Sequence, residues 1–183
     1  MNEVITGTLL ISDPFLKDPN FLRSVVLICE HQKEGSFGFV LNKLYNQTLA
    51  ELMTDMDTFN YPVYYGGPVQ IDTLHFLHRR PDVVEDGIFI IDNIYWGGNF
   101  EQVIANIKAG LIKQNEIRFF IGYSGWGEGQ LENELKEKSW ITHEASKKIV
   151  FHKNASFVWK DALLDMGGEY AMLVNYPIDP QLN

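Results

Sequence analysis

Two short stretches of this 183-residue chain carry side chains able to do chemistry. In Cys29-Glu30-His31 a thiol and an imidazole stand two residues apart. On a strand that spacing puts both on one face. An imidazolium there would favour the thiolate and support nucleophilic or redox chemistry. The plainer reading makes Cys29 a small buried hydrophobe, with His31 exposed where the strand gives way to a turn. The second stretch is Gly122-Tyr123-Ser124-Gly125-Trp126-Gly127-Glu128-Gly129-Gln130-Leu131. Ser124 follows an apolar strand pattern with Gly122 two residues before it, as in the nucleophile elbow of hydrolases, but Trp126 stands where that turn requires glycine. Glycines ahead of a helix also suit a phosphate cradle. Gln130 and Leu131, however, occupy the places where a Walker loop needs lysine and serine or threonine, and Glu128 repels anions. What remains is a shaped loop: its four glycines reach positive φ and admit close backbone approach, while Trp126 anchors it on the core. His75 and His78 lack the helical setting of a zinc pair, and Cys29 has no second cysteine. No metal or other cofactor is expected.

Hydrophobic pattern and turn residues outline the elements that hold these side chains. Ile5 to Ile11 forms a strand ended by Ser12-Asp13-Pro14. Ser24 to Glu30 and Phe37 to Leu41 form a hairpin. Val25-Val26-Leu27-Ile28 has no polar alternation, so that strand is covered on both faces and central in its sheet. Thr48-Leu49-Ala50-Glu51 has capping-box spacing and starts a short helix. Strands follow at Tyr61 to Tyr65, Thr73 to His78 and Ile88 to Ile91. Asn99 caps a helix on which Phe100, Val103, Ile104 and Ile107 recur at helical spacing. Ile117 to Ile121 feeds the glycine loop, Gln130 to Lys138 is the helix that leaves it, and a last helix runs from Phe157 to a stop at Gly167-Gly168. Helices and strands interleave without strict βαβ alternation, which predicts an α+β fold with a mixed, strongly bent sheet. Gly66-Gly67-Pro68 and Trp96-Gly97-Gly98 are further sharp turns in an aromatic setting. If they approach the Trp126 loop, the three wall a groove for a small ligand or an extended peptide.

The bulk numbers bound the classes open to such a fold. At 45% hydrophobic and 21% charged content, one domain over residues 1–183 is expected. A formal charge of −9, from 15 Lys and Arg against 24 Asp and Glu, opposes attraction to phosphate backbones. The pairs Arg79-Arg80 and Lys147-Lys148 are short and flanked by acids, hence solvated surface. A start without a basic and then apolar leader, no run long enough to span a bilayer and a single cysteine predict a soluble, cytoplasmic protein with no membrane partner.

Three motifs in order resemble the YqgE/AlgH family: Gly7-Thr8-Leu9-Leu10-Ile11-Ser12 followed by Val25 to His31 and Gly38-Phe39-Val40-Leu41-Asn42; Gly66-Gly67-Pro68-Val69; and Gly122 to Glu132 with Trp140 beyond. The resemblance runs from about Gly7 to Ala171. It implies an α+β domain whose bent sheet closes toward a small barrel with helices around it, and Cys29 coincides with the family's cysteine. Some members carry a transcriptional-regulator label, although the family has no recognised DNA-binding helix pair. The expected protein is thus a binding or regulatory module without assigned catalysis, whose partner is a small ligand or another protein. Its interaction surface combines the end of the Cys29 strand with His31 and Asn42, the turn Gly66, Gly67 and Pro68, and Gly122, Ser124, Gly125, Trp126, Gly127, Gly129 and Gln130. The alternative is a thiol-dependent enzyme or redox sensor built on Cys29 and His31.

Overall fold

The run Val25 to Ile28 is fully buried, and the sheet is arranged around it. The computed structural model describes residues 3–177. Its strands are β1 (Thr8–Ser12), β2 (Val25–Gln32), β3 (Gly35–Val40), β4 (Leu44–Thr48), β5 (Pro62–Tyr65), β6 (Val69–His78), β7 (Ile88–Ile91), β8 (Ile94–Trp96), β9 (Ile117–Gly127) and β10 (Trp140–Glu144). Its helices are α1 (Leu49–Leu52), α2 (Phe100–Lys108), α3 (Gln130–Lys136), α4 (Lys147–Val150), α5 (Val158–Met166) and α6 (Tyr170–Leu173). The strand order is β10-β1-β2-β3-β9-β6-β8-β7, with β4 and β5 joining through β9. Pairing is antiparallel throughout the described residues except between β5 and β9. The α+β class and the strongly bent sheet expected from the sequence are what the structure has. Among the described residues no helix is long and apolar enough to cross a membrane.

Alternation along the strands sorts apolar side chains between two faces. Leu9, Leu27, Phe39, Phe120, Leu77, Ile90 and Ile94 form one cluster with Ile149, Val158, Trp159 and Leu163 of the C-terminal helices. That cluster joins strands from both ends of the order, so this face is the inside of a curled half-barrel, filled by α4 and α5. The outer face carries two patches. Leu10, Val26, Ile28 and Val40 pack with Leu131 and Trp126, and Val63, Phe76 and Phe119 pack under Val103 and Ile107 of α2. Each fully buried aliphatic side chain stabilises the fold by about 1.5–3 kcal/mol relative to exposure.

Local signals act where expected. The Thr48 backbone N–H donates to Glu51 at 2.7 Å, and the Asn99 side chain accepts from the Gln102 N–H at 3.1 Å. Several boundaries differ, with β6 starting at Val69 rather than Thr73 and α3 ending at Lys136 rather than Lys138, and the largest difference is in β9. The strand read as ending at Ile121 continues through Gly127, because Ser124 to Gly127 pair with Gly35 to Gly38 of β3. Partner strands supply the backbone hydrogen bonds, and this pairing overrides the weak strand preference of glycine.

Candidate functional site

Where β5 ends, three backbones meet. On one edge of β9, residues Phe119 to Ile121 pair with β5, and Ser124 to Gly127 pair with β3. The handover falls at Gly66, whose N–H donates to Ile121 O at 2.8 Å and whose carbonyl accepts from Val40 N–H at 2.8 Å. Ser124 is wholly buried, and its hydroxyl donates to that same carbonyl at 3.1 Å. A Cβ on Gly66 would lie 2.4 Å from Gly122 O, one on Gly67 2.3 Å from Tyr123 O, and one on Gly122, at φ 67°, 2.5 Å from Gly67 O. Only glycine lets these chains cross so closely. Gly66, Gly67, Gly122 and Ser124 therefore form an interior crossing, and the Ser124 hydroxyl is held in a structural hydrogen bond.

Trp126 is fixed beside this crossing. Its indole N–H donates to Glu134 Oε2 at 2.9 Å, and Trp140 donates to the same oxygen at 2.7 Å. Gln130 bridges the Gly127 N–H at 3.1 Å and Glu134 Oε1 at 3.0 Å. Phe21 stacks on Trp126 with centroids 6.1 Å apart. One carboxylate on α3 thus clasps two indoles, and Gly129 opens that helix in left-handed geometry at φ 73°. Asn42 also ties backbone, accepting from Val25 N–H at 3.0 Å and donating to Arg23 O at 2.9 Å.

The principal cavity, about 580 Å³, opens beside the inner face, with Phe37, Trp96, Tyr123, His75, Gly125 and Trp126 in its wall and Glu30, Gln32 and Glu34 at its hairpin side. Phe37 sits among rings. Its centroid is 4.7 Å from Trp96 at 63° and 6.0 Å from Tyr123 at 77°. No Lys or Arg side chain lines the cavity among the described residues. His75 packs at 6.0 Å against Tyr123, its Nε2 is buried without a partner among the described residues, and burial pushes its pKa below the usual value. Burial thus disfavours its cationic form, and Glu30 and Glu34 are the acidic side chains of the lining. Pro68, Gly125, Trp126 and Gln130 line a second hollow of about 380 Å³, so Trp126 borders both.

Cys29 and His31 do not share a face. Ile28 pairs with Gly38 and Glu30 with Phe37, leaving Cys29 as the extra residue of a β-bulge. A bulge advances the alternation by one residue and re-aims the side chains beyond it. Cys29, 3% exposed, joins the interior cluster, and burial pushes its thiol well above the ordinary value. His31 turns to Ser36 at 2.7 Å and toward Glu132 of α3 at 4.0 Å. Glu30 and Gln32 consequently reach the cavity.

Among the residues expected at a surface, the structure brings Gly125 and Trp126 to the principal cavity, and places Pro68 and Gln130 in the hollow behind. Phe37, His75, Trp96 and Tyr123, which make the wall, come from four strands. The one signal for them was the aromatic company of the glycine turns.

A family model described as AlgH-like matches residues 9–171. UPF0301 proteins from Cytophaga hutchinsonii and Chlorobaculum tepidum are 46% and 44% identical to this chain, covering 97% of it and 98% and 95% of their own lengths. The solution structure of the AlgH protein from Pseudomonas aeruginosa matches at TM-score 0.74 and 26% identity, over 97% of this chain and 98% of that one. A protein from Corynebacterium diphtheriae shares the fold at TM-score 0.79 and 21% identity, over 96% and 94% of the two chains. From its motifs to its curled sheet, the chain belongs to the AlgH-like family.

Proposed function

We propose that this chain is a cytoplasmic binding module, regulatory in kind and without catalysis, that holds an organic cation in the cavity walled by Phe37, Trp96 and Tyr123. The observation that carries this reading is the ring geometry beside two carboxylates. Rings at 63° and 77° to Phe37 present faces and edges in different directions, as the walls of a cage do. A cation against an aromatic face gains about 0.5–2 kcal/mol, most where water is excluded. Glu30 and Glu34 add attraction, and a volume of about 580 Å³ suits a small molecule or one side chain of a peptide. The excess of acidic over basic residues supports a cationic small-molecule or protein partner over nucleic acid.

The test is a titration followed through the indole N–H resonances of Trp96 and Trp126. Choline is expected to bind saturably. Its uncharged carbon analogue 3,3-dimethylbutan-1-ol is expected to bind about tenfold more weakly, and Trp96→Ala to weaken choline by a similar factor. Equal binding of the two probes, or no perturbation of either indole, overturns the reading.

A further inference from the structure

Toward the other end of β9 lies a smaller cavity with the opposite electrostatic character. It is about 280 Å³ and includes Arg118, Lys153, Gln114, Asn115, Tyr64 and Phe151 in its lining. Arg118 is 8% exposed. Its Nη2 donates to the His152 carbonyl at 2.7 Å, and its Nη1 is buried with no partner among the described residues. The guanidinium stands 4.5 Å from the centroid of the Tyr64 ring and 5.9 Å from that of Phe151, so ring faces replace part of its lost hydration. They do not supply the missing acceptor. An unpaired buried cation is costly, and proteins pair such groups.

The surrounding charges point the same way. Arg79 lies 5.8 Å from the same Phe151 ring, and its Nε is also buried without a partner among the described residues. The acids nearby in the fold have other partners. Glu116 pairs with Arg80 at 3.3 Å and accepts from the Lys113 N–H at 2.8 Å, while Asp161 pairs with His152 at 2.9 Å. Burial pulls the Arg118 pKa down, and Tyr64 opposes that fall more weakly. In a chain of net charge −9, this is a local positive pocket in which Arg118 has no ion-pair partner among the described residues.

We infer that this cavity is an oxyanion site, in which a carboxylate or phosphate oxygen of a small ligand accepts from Arg118 Nη1, with Lys153 adding charge and the Gln114 and Asn115 amides adding donors. Guanidinium is suited to this role because its donors form a planar fork matched to such oxygens. The site shares no lining residue with the aromatic cavity, so it stands whether or not that cavity binds cations.

The test titrates the full chain with inorganic phosphate and, separately, with benzoate, at ionic strength held constant with sodium chloride. The readouts are calorimetry and the Arg118 Nε–Hε resonance. One or both anions should bind saturably at one site, shifting that resonance while leaving the Trp96 indole in place. Phosphate alone would mark a phosphorylated ligand or free phosphate, and benzoate alone an apolar carboxylate. Arg118→Met should lower affinity at least about tenfold. Should that variant fail to fold, the wild-type resonance decides, with Lys153→Ala expected to weaken binding more modestly. Neither anion moving Arg118, a shift reproduced by chloride, or undiminished affinity in Arg118→Met overturns the inference.

Discussion

The glycine crossing and the aromatic cavity are neighbours on β9, yet they are built on opposite principles. At Gly66, Gly67 and Gly122 the missing side chains let backbones touch. At Phe37, Trp96 and Tyr123 large side chains meet at steep angles and leave space open. Consecutive residues serve the two purposes: Gly122 and Ser124 belong to the crossing, Tyr123 and Gly125 to the cavity. The difference teaches that the most regular motif in this sequence encodes architecture. The surface able to recognise a ligand takes Trp96, Tyr123, Gly125 and Trp126 from the glycine-rich turns, and adds Phe37 and His75, which have no local signature.

The comparison can be broken most forcefully at the crossing. Gly122→Ala places a Cβ 2.5 Å from Gly67 O at positive φ, so it should cost about 3–5 kcal/mol through overpacking and backbone strain. That is a large share of the stability of an ordinary domain. Urea denaturation measures it, and a loss under about 1 kcal/mol would mean the crossing tolerates a side chain. Glu134→Ala comes next, at about 2–3 kcal/mol, because two indole N–H groups lose their shared acceptor. Tryptophan fluorescence and thermal unfolding should both report the loosened clasp.

The smallest effect sharpens the contrast from the interior side. Cys29 should resist iodoacetamide in the folded chain at neutral pH and react only on unfolding. Because its folded pKa is raised, the unfolded chain releases this proton first as pH climbs past the ordinary value near 9.0. Stability should then fall, and Cys29→Ala should flatten that part of the profile. Rapid alkylation of the native protein would instead return the thiol to the surface and revive a redox role.

Much of the frame was legible because it rests on local chemistry. The doubly buried β2 showed in Val25 to Ile28, the cap of α2 in Asn99, and the stop of α5 in Gly167, which has φ 69°. The extension of β9 through Gly127 was not, since its stability comes from β3, far away in sequence. The cavity was hidden for the same reason: residues 37, 75, 96 and 123 become neighbours only once β3, β6, β8 and β9 are assembled. The bulge at Cys29 was invisible because strand alternation is read by counting, and nothing in Ile28-Cys29-Glu30 marks where the count slips.

That slip works as a polarity selector. With Cys29 taking up the extra step, Glu30 and Gln32 border the aromatic cavity and His31 meets α3. Were Cys29 instead paired as an ordinary ladder residue, with every residue kept, even counting would exchange the two sides of the strand beyond it. An imidazole would then border the chamber and a carboxylate would confront the acids of α3, so the sign of the guest admitted hangs on a single unpaired step of the chain.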